Sequence, residues 1–175
     1  MHDTLDKLIA LVPPPTEPIF GEASWEAVFA ELGTPLPADF VALVNRYGSC
    51  DFGEWLGVLD PRITTGGESF ADAARYVGDQ YREFRTDWPS QYPLAAWPEP
   101  GGFLKWGNTV DGDWIGWLTE GEPDAWPVTI WPRHYDQATA LQLTSTEFLL
   151  EWFSGNTFGR PELPDLGEVS CEAWG

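Results

Sequence analysis

Apolar residues in the first half of the chain recur every three or four positions, which is the spacing of an amphipathic helix. The clearest case is the stripe of Phe40, Leu43, Val44 and Tyr47, which Gly48 follows as a helix stop. We predict that this stripe lies in the core. The same spacing predicts helices over residues 3–12, 24–32, 37–47 and 69–86, and an extended segment over 52–59.

The second half of the chain changes to a period of two, which is typical of strands. Strands are predicted over 103–110 and 113–119, and Asp111-Gly112 between them is a two-residue signal for a type I′ hairpin. The remaining predictions are strands over 127–131 and 139–143, a helix over 145–154 and an irregular acidic tail over 156–175.

The order of these elements indicates the fold class. Helices come first, a run of antiparallel strands follows and a helix closes the chain, whereas a doubly wound sheet would alternate strands and helices throughout. A chain of 175 residues fits a single domain, 1–175. We predict an α+β fold with an antiparallel sheet of about four to six strands and helices packed on one face.

Charge limits the partners that the chain can bind. It has 28 acidic and 9 basic side chains, and a formal net charge of −19. This argues against direct binding to nucleic acid, which depends on Lys and Arg, and against binding to an anionic membrane surface. It favours a positively charged partner, although an acidic surface that serves only solubility explains it equally well.

Targeting signals and cysteines indicate the compartment. No apolar run is long enough to cross a membrane, and acidic residues, not basic ones, precede the apolar segment 5–12. Cys50 and Cys171 are too few for a disulfide framework, so we expect a cytoplasmic protein. Whether these two cysteines form a bridge stays open, and so does the oligomeric state.

Residues that could carry catalysis are few. Apart from His2 at the start of the chain, His134 is the only histidine, and the sequence has no Gly-x-Ser-x-Gly elbow. Asp111-Gly112-Asp113 could begin a calcium loop, but the residues after it read as a strand. A pair of glycosidase carboxylates gives no specific signal among so many acids. We expect no enzyme, no metal site and no cofactor.

Five tryptophans crowd the predicted sheet, namely Trp106, Trp114, Trp117, Trp126 and Trp131. They could form the core, a platform for sugar rings or the anchors of a protein interface. Both faces of the 113–119 strand are apolar, so one face must meet the helices. The proline-rich connector from Pro89 to Pro100 or the tail could cover the other. We expect at least one of these tryptophans to be partly exposed.

Acidic residues without a basic neighbour lie in the two turns that flank this strand. The candidate partner-binding residues are Asp111, Asp113, Glu120, Glu122, Asp124 and Trp126. Because the two turns lie at opposite ends of one strand, these acids need not form a single patch. We expect the 120–126 turn to make the main contact, with the carboxylates steering a basic partner and Trp126 anchoring it.

Three ordered segments carry a family resemblance. The first is ELGTPLPADF at residues 31–40, in which one helix ends in Leu-Gly and Leu-Pro opens the next, followed by the pair Tyr47-Gly48. The second comprises LKWGNT at 104–109, Asp113, Trp117 and PDAW at 123–126, and the third is STEFLL at 145–150. Together they resemble the SUKH superfamily over a core of about 22–155. An N-terminal helix and proline linker at 1–21 and the tail at 156–175 lie outside the resemblance.

The resemblance implies an α+β fold without catalytic residues. Bacterial members of this family are largely immunity proteins that bind and neutralise toxins, often nucleases, and fungal members include scaffolds of cell-wall assembly. A strongly acidic chain suits the basic surface with which a nuclease holds phosphate. We therefore expect a non-enzymatic immunity protein that binds a basic toxin. The alternatives are a scaffold or regulatory interaction domain and, third, a carbohydrate-binding module.

Overall fold

The helices form where the apolar spacing places them, and their ends differ from the predictions by at most one residue. In the computed structural model, which describes residues 2–174, they are α1 (His2–Leu11), α2 (Trp25–Leu32), α3 (Ala38–Tyr47), α4 (Phe70–Asp87) and α5 (Ser145–Phe153). Local caps explain this agreement. At the start of α4, Ser69 Oγ accepts from the Asp72 amide while Asp72 Oδ2 accepts from the Ser69 amide. Thr144 and Glu147 form the same reciprocal pair at α5.

Among residues 2–174, seven strands form one sheet in the order β6-β5-β4-β2-β1-β7, and β3 pairs with the start of β4. They are β1 (Cys50–Phe52), β2 (Leu56–Val58), β3 (Ala95–Ala96), β4 (Gly102–Thr109), β5 (Trp114–Leu118), β6 (Val128–Trp131) and β7 (Cys171–Ala173). Only the β3–β4 pairing is parallel among the described residues. The α+β class is confirmed, with seven strands in place of four to six.

Three strand predictions need correction. The extended segment 52–59 is two short strands, β1 and β2, that turn back at Gly53 and Glu54, both with positive φ. The segment 139–143 forms no strand and makes a single bridge, between Leu141 and Val128. The tail is not irregular throughout, because residues 171–173 form β7, which pairs with β1 and is the edge strand there. No local sequence pattern could predict the pairing of β7 with β1, because these strands lie about 120 positions apart along the chain.

The hairpin between β4 and β5 has a longer loop than the type I′ turn that we predicted. The Thr109 amide donates to the carbonyl of Asp113, and the Gly112 amide donates to the carbonyl of Thr109. Of the loop residues only Gly112 has a positive φ, 88°, whereas a type I′ turn needs it at both central positions. The loop therefore resembles the three-residue class with an αL glycine.

Helices cover both faces of the sheet, which corrects the prediction of one covered face. Phe40 of α3 packs edge-on against Trp117 of β5, with ring centroids 4.9 Å apart. Tyr81 of α4 packs edge-on against Trp131 of β6 at 4.7 Å. Trp117 pairs with Val128, three positions before Trp131, so the two tryptophans point to opposite faces. We call these the α3 face and the α4 face.

The core lies mainly on the α3 face, and the predicted stripe of Phe40, Leu43, Val44 and Tyr47 is buried there. The Tyr47 hydroxyl donates to the carbonyl of Val12 at 2.6 Å, so it ties the end of α1 to α3. Leu8 of α1 and Val12, which directly follows the helix, are also buried, and α1 packs against α5.

A β-bulge in β4 decides which side chains reach the α4 face. The register with β5 shifts between Lys105 and Gly107, so Trp106 is the extra residue. The Trp106 ring packs against Phe40 on the α3 face, at 5.6 Å. Lys105 points the other way, and its Nζ lies 4.6 Å from the centroid of the Trp114 ring.

Candidate partner-binding surface

The predicted acidic residues lie beyond the two ends of β5, as their sequence positions require. Asp111 and Asp113 precede the strand, and the 120–126 segment follows it. Five strand residues at about 3.3 Å each separate the two turns by roughly 17 Å. The acids therefore form two separate groups, and each has to be judged by its own surroundings.

Asp113 is a buried structural residue, which corrects its assignment to a partner surface. Its side chain is almost fully enclosed. Oδ1 accepts from the backbone amide of Arg133 at 2.8 Å, and Oδ2 accepts from the Thr109 hydroxyl at 3.1 Å. These bonds hold the β4–β5 loop against the end of β6. A carboxylate used in this way cannot contact a partner.

Trp126 is also buried, so it cannot serve as the exposed anchor that we predicted. Its ring lies 6.2 Å from that of Trp117, and its indole N–H donates to the carbonyl of Gly121 at 3.1 Å. The Trp126 side chain thus holds the 120–126 turn against the core. The sequence could not distinguish these two roles, because a large aromatic residue suits both a core position and an exposed position at a protein interface.

Asp124 is exposed, but it also has a structural partner. Its Oδ1 accepts from the backbone amide of Ala38 at 2.7 Å, at the start of α3, where Pro37 offers no capping side chain. Asp124 lies in the 3-10 helix Pro123–Ala125, which contacts α3. This acid therefore caps a helix that lies 86 positions away along the chain.

A second long-range cap continues from α3 to α5. Asp39 Oδ2 accepts from the amide of Thr146 at 2.9 Å and from its hydroxyl at 3.3 Å. Burial raises the pKa of Asp39 above its ordinary value, and the hydrogen bonds from Thr146 partly oppose that rise. Asp124 and Asp39 thus link the 120–126 turn, α3 and α5. By its position along the chain, Asp39 is only an acidic residue in the first turn of α3.

Asp111, Glu120 and Glu122 are the predicted acids that are exposed and form neither an ion pair nor a cap within residues 2–174. Glu120 borders an open hollow of about 630 Å³, which Leu94, Pro127 and Gln142 also line. Within the described residues, Glu120 and Glu122 are therefore the exposed acids of this turn without a structural partner, and Glu120 lies beside a shallow, partly apolar surface.

Half-buried aromatic residues lie on the α4 face, where the sequence located no site. Trp131 packs edge-on against Trp114 at 4.9 Å and against Tyr92 of the proline-rich connector at 6.1 Å. Trp114 and Trp131 are each partly exposed, which confirms the expectation of at least one such tryptophan. Trp106, Trp117 and Trp126 are buried.

Beside this cluster, a cleft of about 240 Å³ opens between α4 and the sheet. Phe70, Tyr76 and Val77 line it from α4, and Lys105 and Trp114 line it from the sheet. Burial lowers the pKa of the Lys105 ammonium. The sequence signal for this cleft is a lysine between the apolar residues of β4.

The cysteines and the histidine lie apart from these surfaces. Cys50 in β1 is buried and Cys171 in β7 is half-buried, and both are free thiols. His134 is exposed. Within residues 3–174 no three His, Cys, Asp or Glu side chains lie together as a metal site would need. None of the helices in this same range is both long enough and apolar enough to cross a membrane.

No protein-family model matches the sequence. No match is found among the curated proteins either. The resemblance to the SUKH superfamily therefore stays a prediction from its motifs.

Proposed function

We propose that this protein is a cytoplasmic, non-enzymatic immunity protein of SUKH type, and that it neutralises a basic toxin by binding it. The observation that supports this proposal most strongly is that most of the acidic side chains form no ion pair within the described residues. Ion pairs within the described residues use only six of the 28 acidic side chains. They are Asp3, Glu31, Asp60, Asp72, Asp79 and Glu99.

The partner's chemistry follows from this surplus. A nuclease binds phosphate with a basic surface, and a protein with unpaired carboxylates can occupy that surface in place of the substrate. Glu120 and Glu122 are suited to this contact because both are exposed, and Glu120 borders an open, partly apolar hollow. Long-range attraction between opposite charges would mainly accelerate association.

The test uses the product of the gene next to the one that encodes this chain. Cells that express that product should stop growing, and co-expression of this protein should restore growth through a complex that can be purified. The double variant Glu120→Lys/Glu122→Lys should slow association at low salt. The difference should shrink as salt rises, because the screening length falls from about 10 Å at 0.1 M to about 3 Å at 1 M.

A matched control carries the same change of charge elsewhere. Glu168→Lys/Glu172→Lys alters two exposed acids at and just before β7, the opposite edge of the sheet from β6. Equal slowing by both variants would mean that overall charge steers the partner and that the 120–126 turn is not the site. A complex that leaves the partner's activity intact would favour a scaffold, and retention on a polysaccharide would favour a carbohydrate-binding module.

A further inference from the structure

The cleft between α4 and the sheet has apolar walls that converge on one cation. Tyr76 and Trp174 form its outer walls and are 61% and 42% exposed, while the deeper lining includes Phe70 and Val77. The Trp174 ring packs closely on Gly57 of β2, where a Cβ would be 3.1 Å from Trp174 Cζ3. Two large aromatic residues thus remain accessible at the mouth of the cleft.

Lys105 is the only basic side chain that lines this cleft among the described residues. It forms no ion pair within 4.0 Å and no hydrogen bond in residues 2–174, although the chain has 28 acids. Its ammonium can donate three hydrogen bonds, and the nearby Trp114 ring provides only a cation–π contact. A largely buried charge without a counter-ion is unfavourable unless something supplies one.

Asn108 of β4 and Glu68 also line the cleft. Asn108 is half-buried. Glu68 is the only acid in the lining among the described residues, and it is exposed. The electrostatic character of the interior is thus set by Lys105, while Glu68 opposes the approach of an anion.

We propose that this cleft binds a small aromatic carboxylate, with the ring between Tyr76 and Trp174 and the carboxylate on the Lys105 ammonium. A carboxylate supplies the missing counter-ion and accepts hydrogen bonds that the ammonium now lacks. The volume of about 240 Å³ is below the roughly 300–1,000 Å³ of sites for drug-sized ligands, so the ligand is small. This site does not depend on toxin binding and has the opposite charge preference.

The experiment titrates the full chain with 4-phenylbutyrate and with its uncharged amide, 4-phenylbutyramide, at neutral pH and low salt by calorimetry. The carboxylate should bind about tenfold more tightly than the amide. Lys105→Met keeps the length of the side chain and removes its charge, so it should reduce carboxylate affinity to that of the amide and leave the amide unchanged. Trp174→Ala should weaken both ligands by a similar factor.

Two controls keep the result interpretable. Lys7→Met removes a charge from α1, where Lys7 pairs with Asp3, and should change neither affinity. Glu68→Gln should tighten carboxylate binding alone, and it tests the proposal even if Lys105→Met does not fold. Equal affinity for the acid and the amide, or the absence of saturable carboxylate binding at about millimolar concentration, would overturn the proposal.

Discussion

The two faces of the sheet both carry tryptophans, but these residues are buried on the α3 face and partly exposed on the α4 face. Trp117 and Trp114 belong to the same strand, yet Trp117 is fully buried on the α3 face and Trp114 is half-exposed on the α4 face. The indole N–H of Trp117 donates to Ser145 Oγ at 3.0 Å, whereas the Trp114 ring faces the Lys105 ammonium. Residue type alone therefore does not separate a core position from a candidate recognition position.

The number of covering helices explains the contrast. Six strands side by side span roughly 24 Å, and one helix with its side chains is about 10–12 Å wide. Helices α1, α3 and α5 pack together over the α3 face. The other face has α4 as its main cover, so its edges are left to the connector and to Trp174, and the cleft forms in the remaining gap.

The sharpest test of this contrast replaces the two tryptophans in turn. Trp117→Ala should lower the free energy of unfolding by about 3–5 kcal/mol, because it leaves a cavity and an unpaired Ser145 hydroxyl. Trp114→Ala should lower it by about half as much or less, because part of that ring already contacts water. Denaturant unfolding measures both values. Equal losses would show that the two faces are packed alike.

A smaller effect should come from the carboxylates that cap helices on the α3 face. Asp39→Ala should lower the free energy of unfolding by about 1–3 kcal/mol, because it leaves the buried Thr146 amide without an acceptor. Asp124→Ala should lower it by about 0.5–2 kcal/mol, because it removes the cap of α3. The Asn variants keep an acceptor and should lose less than half as much in thermal or denaturant unfolding. If Ala and Asn behave alike at both sites, the capping role is wrong.

The smallest expected effect is on how the free energy of unfolding changes with pH. Asp39 and Glu99 should change it in opposite directions. Burial raises the pKa of Asp39 above its ordinary 3.8, so the folded state holds this proton more tightly than the unfolded chain. Its contribution to stability therefore falls as pH rises between the unfolded and folded values. The Arg85 guanidinium of α4 lowers the pKa of Glu99 from 4.5 to about 2, so that contribution is lost as pH falls through this range.

Unfolding free energies across the acidic range test this pair. Asp39→Asn should remove a decrease in stability with rising pH, and Glu99→Gln should remove a decrease with falling pH. The Glu99 effect should be modest, because its side chain is 38% exposed and solvent screens the pair. Identical shifts of the pH profile in both variants would contradict the assigned causes.

The sequence by itself determined the features that depend on neighbouring residues. The stripe of α3, the capping boxes of α4 and α5 and the strands of the β4–β5 hairpin follow from spacings of two to four positions. The α+β class follows from the order of those elements. It also supplied the charge on which the proposed function depends.

Only the tertiary structure decided how distant residues are used. The cap from Asp39 to Thr146 joins residues 107 positions apart, and β7 joins a strand near residue 50. Which tryptophans are buried depends on which helix lies over each face, and a helix with an apolar stripe can pack on either. Asp113 and Trp126 read as surface residues for the same reason, because burial is a property of the assembled layers and not of the local pattern.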